Sequence, residues 1–197
     1  MKNEFLETIR VEDGIYFHLS YHQNRYEEVL KSFNAKKIQN LETYLDAPKK
    51  GLYRCRLIYT AQQVVSVEYI EYKKKDIKSL KLVYDDEIEY PFKYENRDDI
   101  NKLFRLREDC DDVLIVKNGL LTDTSIANIA LYDGEWKTPR NPLLKGITRK
   151  RYLDDAKIVE ADIQVNDINK FTKIALLNAM IDFDIIREYN IKDIFVR

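Results

Sequence analysis

Lys93 lies in the run YPFKYENR, between Phe92 and Tyr94. A lysine amine attacks a carbonyl only after losing its proton. A Schiff-base lysine therefore needs desolvation or a nearby positive charge to lower its pKa. The aromatic flanks permit this. The plain alternative is a solvated lysine on a strand edge, sharing a face with Glu87 and Glu89. Asp123, in GLLTDTSIAN, follows a strand and precedes a small-residue turn. It reads as an Asx-turn or cap, or as a buried carboxylate holding a cation. In TPRNPLLKGITR, Gly146, Ile147 and Thr148 stand at a helix start, where backbone N–H groups, the helix dipole and a hydroxyl can hold a phosphate. A simple glycine turn into a helix would look the same. Arg25, one turn into a helix, is a surface arginine or a bidentate phosphate clamp.

These residues need elements to position them. FLETIRV, the Asp13-Gly14 turn and IYFHL predict a β-hairpin of type I′. Ser20 and Gln23 form an S-x-x-Q capping box ahead of a helix, on which Tyr26, Val29, Leu30 and Phe33 share a face. Residues 34–50 predict a second helix ending near Pro48 and Gly51. LYRCRLIYT, QQVVSVEYIEY and SLKLVYDDEIEYPF read as strands, with the lysine-rich KKKDIK as a solvated link. RDDINKLFRL predicts a short helix. VLIVKNGLLT turns at Asn118-Gly119 and IALYDGEWKT at Asp133-Gly134. Gly146 opens a helix through RKRYLDDAKI, and the strand IVEAD follows. NDINKFTK reads as helical, IALLNAM as a buried segment, and the tail IIREYNIKDIFVR as helix or strand. The fold class is mixed, hairpin-rich α/β. A boundary near residues 73–80 divides a small α/β domain, 1–75, carrying Arg25, from a larger domain, 76–197, carrying Lys93 and the phosphate cradle.

Composition narrows the functions. The 33 basic and 34 acidic residues leave a net charge of -1, which argues against nucleic-acid binding driven by charge. Two cysteines and two histidines offer no metal motif. With five glycines, neither GxGxxG nor a P-loop can be assembled, so a phosphate would rest on a helix N-terminus and side chains. The 14 tyrosines and 8 phenylalanines favour sheet-rich packing. No apolar run is long enough for a transmembrane helix, and MKNEFLETIRVEDG lacks an apolar signal region. A cytoplasmic protein with no membrane or nucleic-acid partner is expected.

The candidates occur together and in order: ETIRVEDG, HQNR, the K-x-x-N-R segment Lys93–Arg97, TDTSIANI, TP…LLKGITR and LLNAM. The series resembles the class IV aminotransferases, the fold-type IV pyridoxal-phosphate enzymes, over about residues 5–181. That family includes branched-chain and D-amino acid aminotransferases and 4-amino-4-deoxychorismate lyases. The resemblance implies pyridoxal 5'-phosphate as cofactor and a fold of a small N-terminal and a larger C-terminal α/β domain. It makes Lys93 the Schiff-base and proton-shuttling lysine, and Arg25 the arginine on the cofactor phosphate. Gly146, Ile147 and Thr148 become the phosphate cradle, and Leu144 the leucine beneath the ring. Asn178 stands where a small polar residue approaches the phosphate, and Asp123 where an acid pairs with the pyridine nitrogen. The family usually has glutamate at that place and often glycine after it, where this chain has Thr124. The chain is also short between Arg25 and Lys93, in the domain that shapes the substrate pocket.

K-x-x-N-R looks most like the lyase branch. The leading expectation is an aminodeoxychorismate lyase that forms 4-aminobenzoate and pyruvate for folate synthesis. Arg56, in RCRLIY, is a candidate for a substrate carboxylate or an ordinary exposed strand arginine. An aminotransferase on branched-chain or D-amino acids would use the same Lys93. A cofactor-free binding module is the third reading. Resemblance further implies a homodimer and a functional link to an aminodeoxychorismate synthase.

Overall fold

The computed structural model describes residues 3–189 and 191–196. The chain divides into two compact units, Met1–Lys74 with Phe92–Asn96, and Lys75–Pro91 with Arg97–Arg197. The sequence reading puts Lys93 in the larger domain. The structure groups it with the first unit, because the segment around it pairs with the first strand.

The first unit opens with β1 (Phe5–Glu12) and the two-residue β2 (Ile15–Tyr16). Asp13 and Gly14 between them both have positive φ, 48° and 82°, as a type I′ turn requires. Helix α1 (Leu19–Ser32) follows, then a single 3-10 turn (Leu41–Tyr44), β3 (Leu52–Tyr59) and β4 (Val64–Glu71). The sheet order is β2-β1-β3-β4, antiparallel throughout. Alternation sends Phe5, Ile9, Val11, Cys55, Leu57 and Tyr59 into the core. Tyr26, Val29 and Leu30 of α1 are buried and Phe33 partly so; Phe5, Leu57 and Tyr59 share one cluster with them.

Two expectations fail here. The capping box does not form: α1 starts at Leu19, and its N-cap His18 has φ 56° and no side-chain cap bond. Gln23 is used elsewhere. Its Nε2 donates to Glu27 Oε1 at 2.9 Å and to the Gln39 carbonyl at 3.0 Å, while its Oε1 accepts from the Leu41 amide at 2.8 Å. The helix expected over 34–50 is only the 3-10 turn. Asn34 takes φ 53°, and the Asn40 side chain accepts from the Glu42 amide at 3.0 Å, a local bond that competes with helix.

The second unit contains β5 (Leu80–Tyr84), α2 (Asp98–Arg105), β6 (Asp112–Lys117), β7 (Leu120–Thr124), β8 (Asn128–Tyr132) and β9 (Trp136–Pro139). Helix α3 (Ile147–Asp154), β10 (Val159–Ala161), a 3-10 segment (Val165–Lys170), β11 (Lys173–Asn178), β12 (Asp182–Glu188) and β13 (Phe195–Val196) complete it. One sheet runs β10-β9-β8-β7-β6-β5-β13, and β11 joins it by pairing with β8 and β12. The Asn118-Gly119 turn again has two positive φ angles, 51° and 74°. Leu80, Leu82, Leu114, Val116, Ile129, Leu131, Ile174 and Leu176 form the main core. Residues 85–97 are not the strand expected around Lys93, so no common face with Glu87 and Glu89 exists; Glu89 instead pairs with Lys117 at 2.6 Å. NDINKFTK is helical as a 3-10 segment only through Lys170, with Lys173 already opening β11, and the described part of the tail is strand, 3-10 turn and a short parallel strand. Among the described residues, no helix is long and apolar enough to cross a membrane.

Candidate active site

In the first unit Arg25 is held by Glu7. The odd positions of β1 face the core, so Glu7 is placed among Phe5, Ile9 and Val11 and is 0% exposed. His22 and Arg25, three residues apart on α1, reach it together. Arg25 binds bidentately: Nε donates to Oε1 at 2.8 Å and Nη2 to Oε2 at 2.6 Å. His22 Nδ1 lies 2.6 Å from Oε2. Burial alone would raise the Glu7 pKa. The Arg25 charge, the His22 hydrogen bond and charge, and the Arg25 hydrogen bonds overcome it and hold the carboxyl at about 2. Burial lowers the His22 pKa, helped by the charges of Arg25 and Lys93 and opposed by Glu7. An ionised carboxylate can only accept, so Nδ1 carries the hydrogen and donates it, while Nε2 is buried with no hydrogen-bond partner.

Lys93 is carried by an extended segment laid along β1. The Leu6 amide donates to the Lys93 carbonyl at 2.8 Å, and the Glu95 amide to the Glu4 carbonyl at 2.9 Å. Phe92 and Tyr94, on either side of the lysine, both pack on Phe5, with ring centroids 6.1 and 5.5 Å away. The lysine itself is half-buried and close enough to His22 to depress its basicity. Arg56 of β3 is held by two carboxylates, Glu68 at 3.6 Å and Glu95 at 3.2 Å. It is a part-buried, ion-paired arginine rather than an exposed one.

The second unit assembles a different set. Asp123 on β7 is directly paired in register with Asn128 on β8. Its Oδ1 accepts from Asn128 Nδ2 at 2.7 Å and its Oδ2 from the Leu144 amide at 2.9 Å. Burial raises its pKa to about 6, against the Leu144 and Asn128 hydrogen bonds and the Arg149 charge. A cation beside it would return it to the ionised form. Asn128 Nδ2 also donates to the Leu144 carbonyl at 2.8 Å. Leu144 thus meets the acid through its backbone. Gly146 caps α3, and a Cβ there would collide with Asn128 Oδ1.

Ile147 and Thr148 form the first turn of α3, whose amides have no intrahelical acceptor. The Thr148 side chain is 2% exposed, yet its Oγ1 has no hydrogen-bond partner. A buried hydroxyl left unmatched costs about 1–3 kcal/mol, so this one is suited to a ligand oxygen. An unpaired hydroxyl, first-turn amides and a glycine packed against Asn128 fit a phosphate ester. Asn178 ends β11; its Oδ1 accepts from the Met180 and Ile181 amides at 2.9 and 3.1 Å. Its Nδ2 donates to the Ile126 carbonyl at 3.3 Å, in the turn after Asp123. Arg97 donates to the Ser125 carbonyl in the same turn.

A model of the family described as amino-transferase class IV matches residues 4–189. The chain belongs to the class IV aminotransferases. Among its class IV relatives, an uncharacterized Haemophilus influenzae protein is 39% identical over 181 residues, covering 88% of this chain and 96% of that one. A Haemophilus somnus 129PT crystal structure, provisionally assigned as a 4-amino-4-deoxychorismate lyase, has a TM-score of 0.83 and 34% identity, over 91% of this chain and 97% of that one. The pyridoxal-phosphate-bound form of a hypothetical aminotransferase from Mycobacterium tuberculosis has a TM-score of 0.77 at 15% identity, over 95% and 82%. It shows the shared class IV fold.

Sequence reasoning missed three residues that organise this class IV scaffold. Glu7 had a signal: it is an acid at a core position of a period-2 strand. His22 lies three residues before Arg25 on the same helix. Asn128 becomes conspicuous only once the β7–β8 register sets it opposite Asp123.

Proposed function

We propose that this protein is a pyridoxal-phosphate-dependent lyase that converts 4-amino-4-deoxychorismate to 4-aminobenzoate and pyruvate. The observation that carries the reading is the likeness to the lyase-assigned relative along nearly the whole of both chains. The buried, unpaired Thr148 hydroxyl supports the cofactor. Lys93 would hold it covalently, Arg25, Gly146, Ile147 and Thr148 would take its phosphate, and Leu144 and Asn178 would flank it. Asp123 would keep its ring nitrogen protonated. When bound, the cofactor supplies an electron sink for a carbanion.

The remaining chemistry belongs to the chain. Lys93 Nζ takes a ring proton from the substrate and returns a proton to the departing enolpyruvate carbon, with aromatisation as driving force. Arg56 is the candidate for a substrate carboxylate, after exchanging one of its acidic partners. The active species is a homodimer in the cytoplasm, supplied by a synthase that aminates chorismate.

The test is a visible spectrum of purified protein, then addition of enzymatically generated aminodeoxychorismate. A yellow protein that releases 4-aminobenzoate and pyruvate supports the reading. A yellow protein silent on that substrate, but passing an amino group to a keto acid, is an aminotransferase. A colourless protein that cannot be reconstituted is a binding module. Lys93→Ala should abolish both turnover and the visible band while keeping the fold; normal turnover in that variant would sink the assignment.

A further inference from the structure

Glu7 poses an energetic question that the fold does not answer. Its neighbours at the other core positions of β1 are Phe5, Ile9 and Val11, and Glu7 is as fully buried as they are. A carboxylate taken out of water carries a large desolvation penalty, and an apolar residue of similar size in its place is often neutral or better for stability. The acid must therefore be doing something other than filling the core.

What it does is geometric. A lone arginine on a helix samples many rotamers, and its guanidinium plane is undefined. Here two parallel bonds, 2.8 and 2.6 Å, lock the Nε–Nη2 edge of Arg25 onto Glu7. That fixes the plane and the direction in which the guanidinium points. Glu7 is locked in turn. His22 is 0% exposed and donates to the Oε2 atom that already accepts from Arg25 Nη2. The carboxylate thus has donors on both oxygens and no freedom to rotate. The chain supplies Glu7 from β1 and both partners from α1, so the geometry is set by the packing of the helix on the sheet.

We propose that Glu7 is a positioning residue for the cofactor phosphate: it orients Arg25, and His22 holds Glu7 in place. The proposal rests on the pyridoxal-phosphate reading, and its test separates the two. Apoprotein is titrated with pyridoxal 5'-phosphate and with pyridoxal, which has the same ring and aldehyde but no phosphate. Binding is followed by absorbance. In Glu7→Gln the dissociation constant for pyridoxal 5'-phosphate should rise about tenfold or more, while that for pyridoxal stays within about twofold. In an Arg25→Ala background the same change should add little, because its effect runs through Arg25.

Unchanged binding in Glu7→Gln, or equal loss for both compounds, would overturn the proposal. If Glu7→Gln does not fold, His22→Asn and His22→Leu decide. Asparagine can still donate an N–H to Glu7 and should keep the preference for the phosphorylated compound; leucine cannot and should lose it. The same preference in both overturns the proposal. Wild-type protein that binds neither compound refutes the cofactor reading itself, before any variant is made.

Discussion

At the scale of single residues, Glu7 dominates the electrostatics of the first unit. Its folded pKa of about 2 lies below the ordinary 4.5. A depressed acid stabilises the folded state in full above about pH 4.5, and that contribution is lost as pH falls toward 2. At roughly 1.4 kcal/mol per pH unit the contribution is on the order of 3 kcal/mol. Urea unfolding of apoprotein between pH 3 and 7 should show wild-type losing its advantage over Glu7→Gln as the solution acidifies. An advantage independent of pH would mean that Glu7 is not the ionised partner of Arg25. Asp123 runs the other way. Its folded pKa of about 6 lies above the ordinary 3.8, so its burial costs stability as pH rises through that interval. Both acids look alike in the sequence. Their opposite titration follows from their partners: Arg25 and His22 for Glu7, against two neutral amides and the Arg149 charge for Asp123.

At the scale of elements, α3 is joined to β7 and β8 by Asn128. Gly146→Ala would place a methyl group against Asn128 Oδ1, so the amide must move and release Asp123 and the Leu144 carbonyl. The expected cost is about 1–3 kcal/mol in thermal or urea unfolding. Asn128→Ala in the same chain should remove most of that added cost; full additivity would disprove the clash. At this scale some elements are legible in the sequence and others are not. The type I′ hairpins were legible because Asp-Gly and Asn-Gly specify positive φ locally. Alternation in LYRCRLIYT gave β3, and the face of Tyr26, Val29 and Leu30 gave α1. The capping box was not legible, because Gln23 can serve either its own helix terminus or the distant Gln39–Leu41 backbone, and only tertiary structure decides. The helix expected over 34–50 failed because Asn34 and Asn40 make turns. Asp123, Gly146 and Thr148 were found by type and spacing, whereas Asn128 needed a register.

At the scale of the whole molecule, each unit has its own core. Leu131→Ala, at a fully buried position in the second unit, should cost about 2–5 kcal/mol. Phe92→Ala tests the first. Phe92 is half-buried, touches Phe5, Phe33 and Tyr94, and precedes Lys93. Its loss should cost about 2 kcal/mol and weaken retention of pyridoxal phosphate, read by urea unfolding and by the visible band after dialysis. Unchanged stability would show that Phe92–Asn96 is not part of that core. The division of the chain also has a consequence for synthesis. The first 74 residues leave the ribosome without the segment that completes their aromatic cluster, and the strand β5 of the other unit is made before Phe92 appears. The first unit thus cannot finish folding as an early, independent domain in the usual vectorial order. Its last piece to arrive is Phe92–Asn96, so a nascent chain that has closed this unit has also put Lys93 in place.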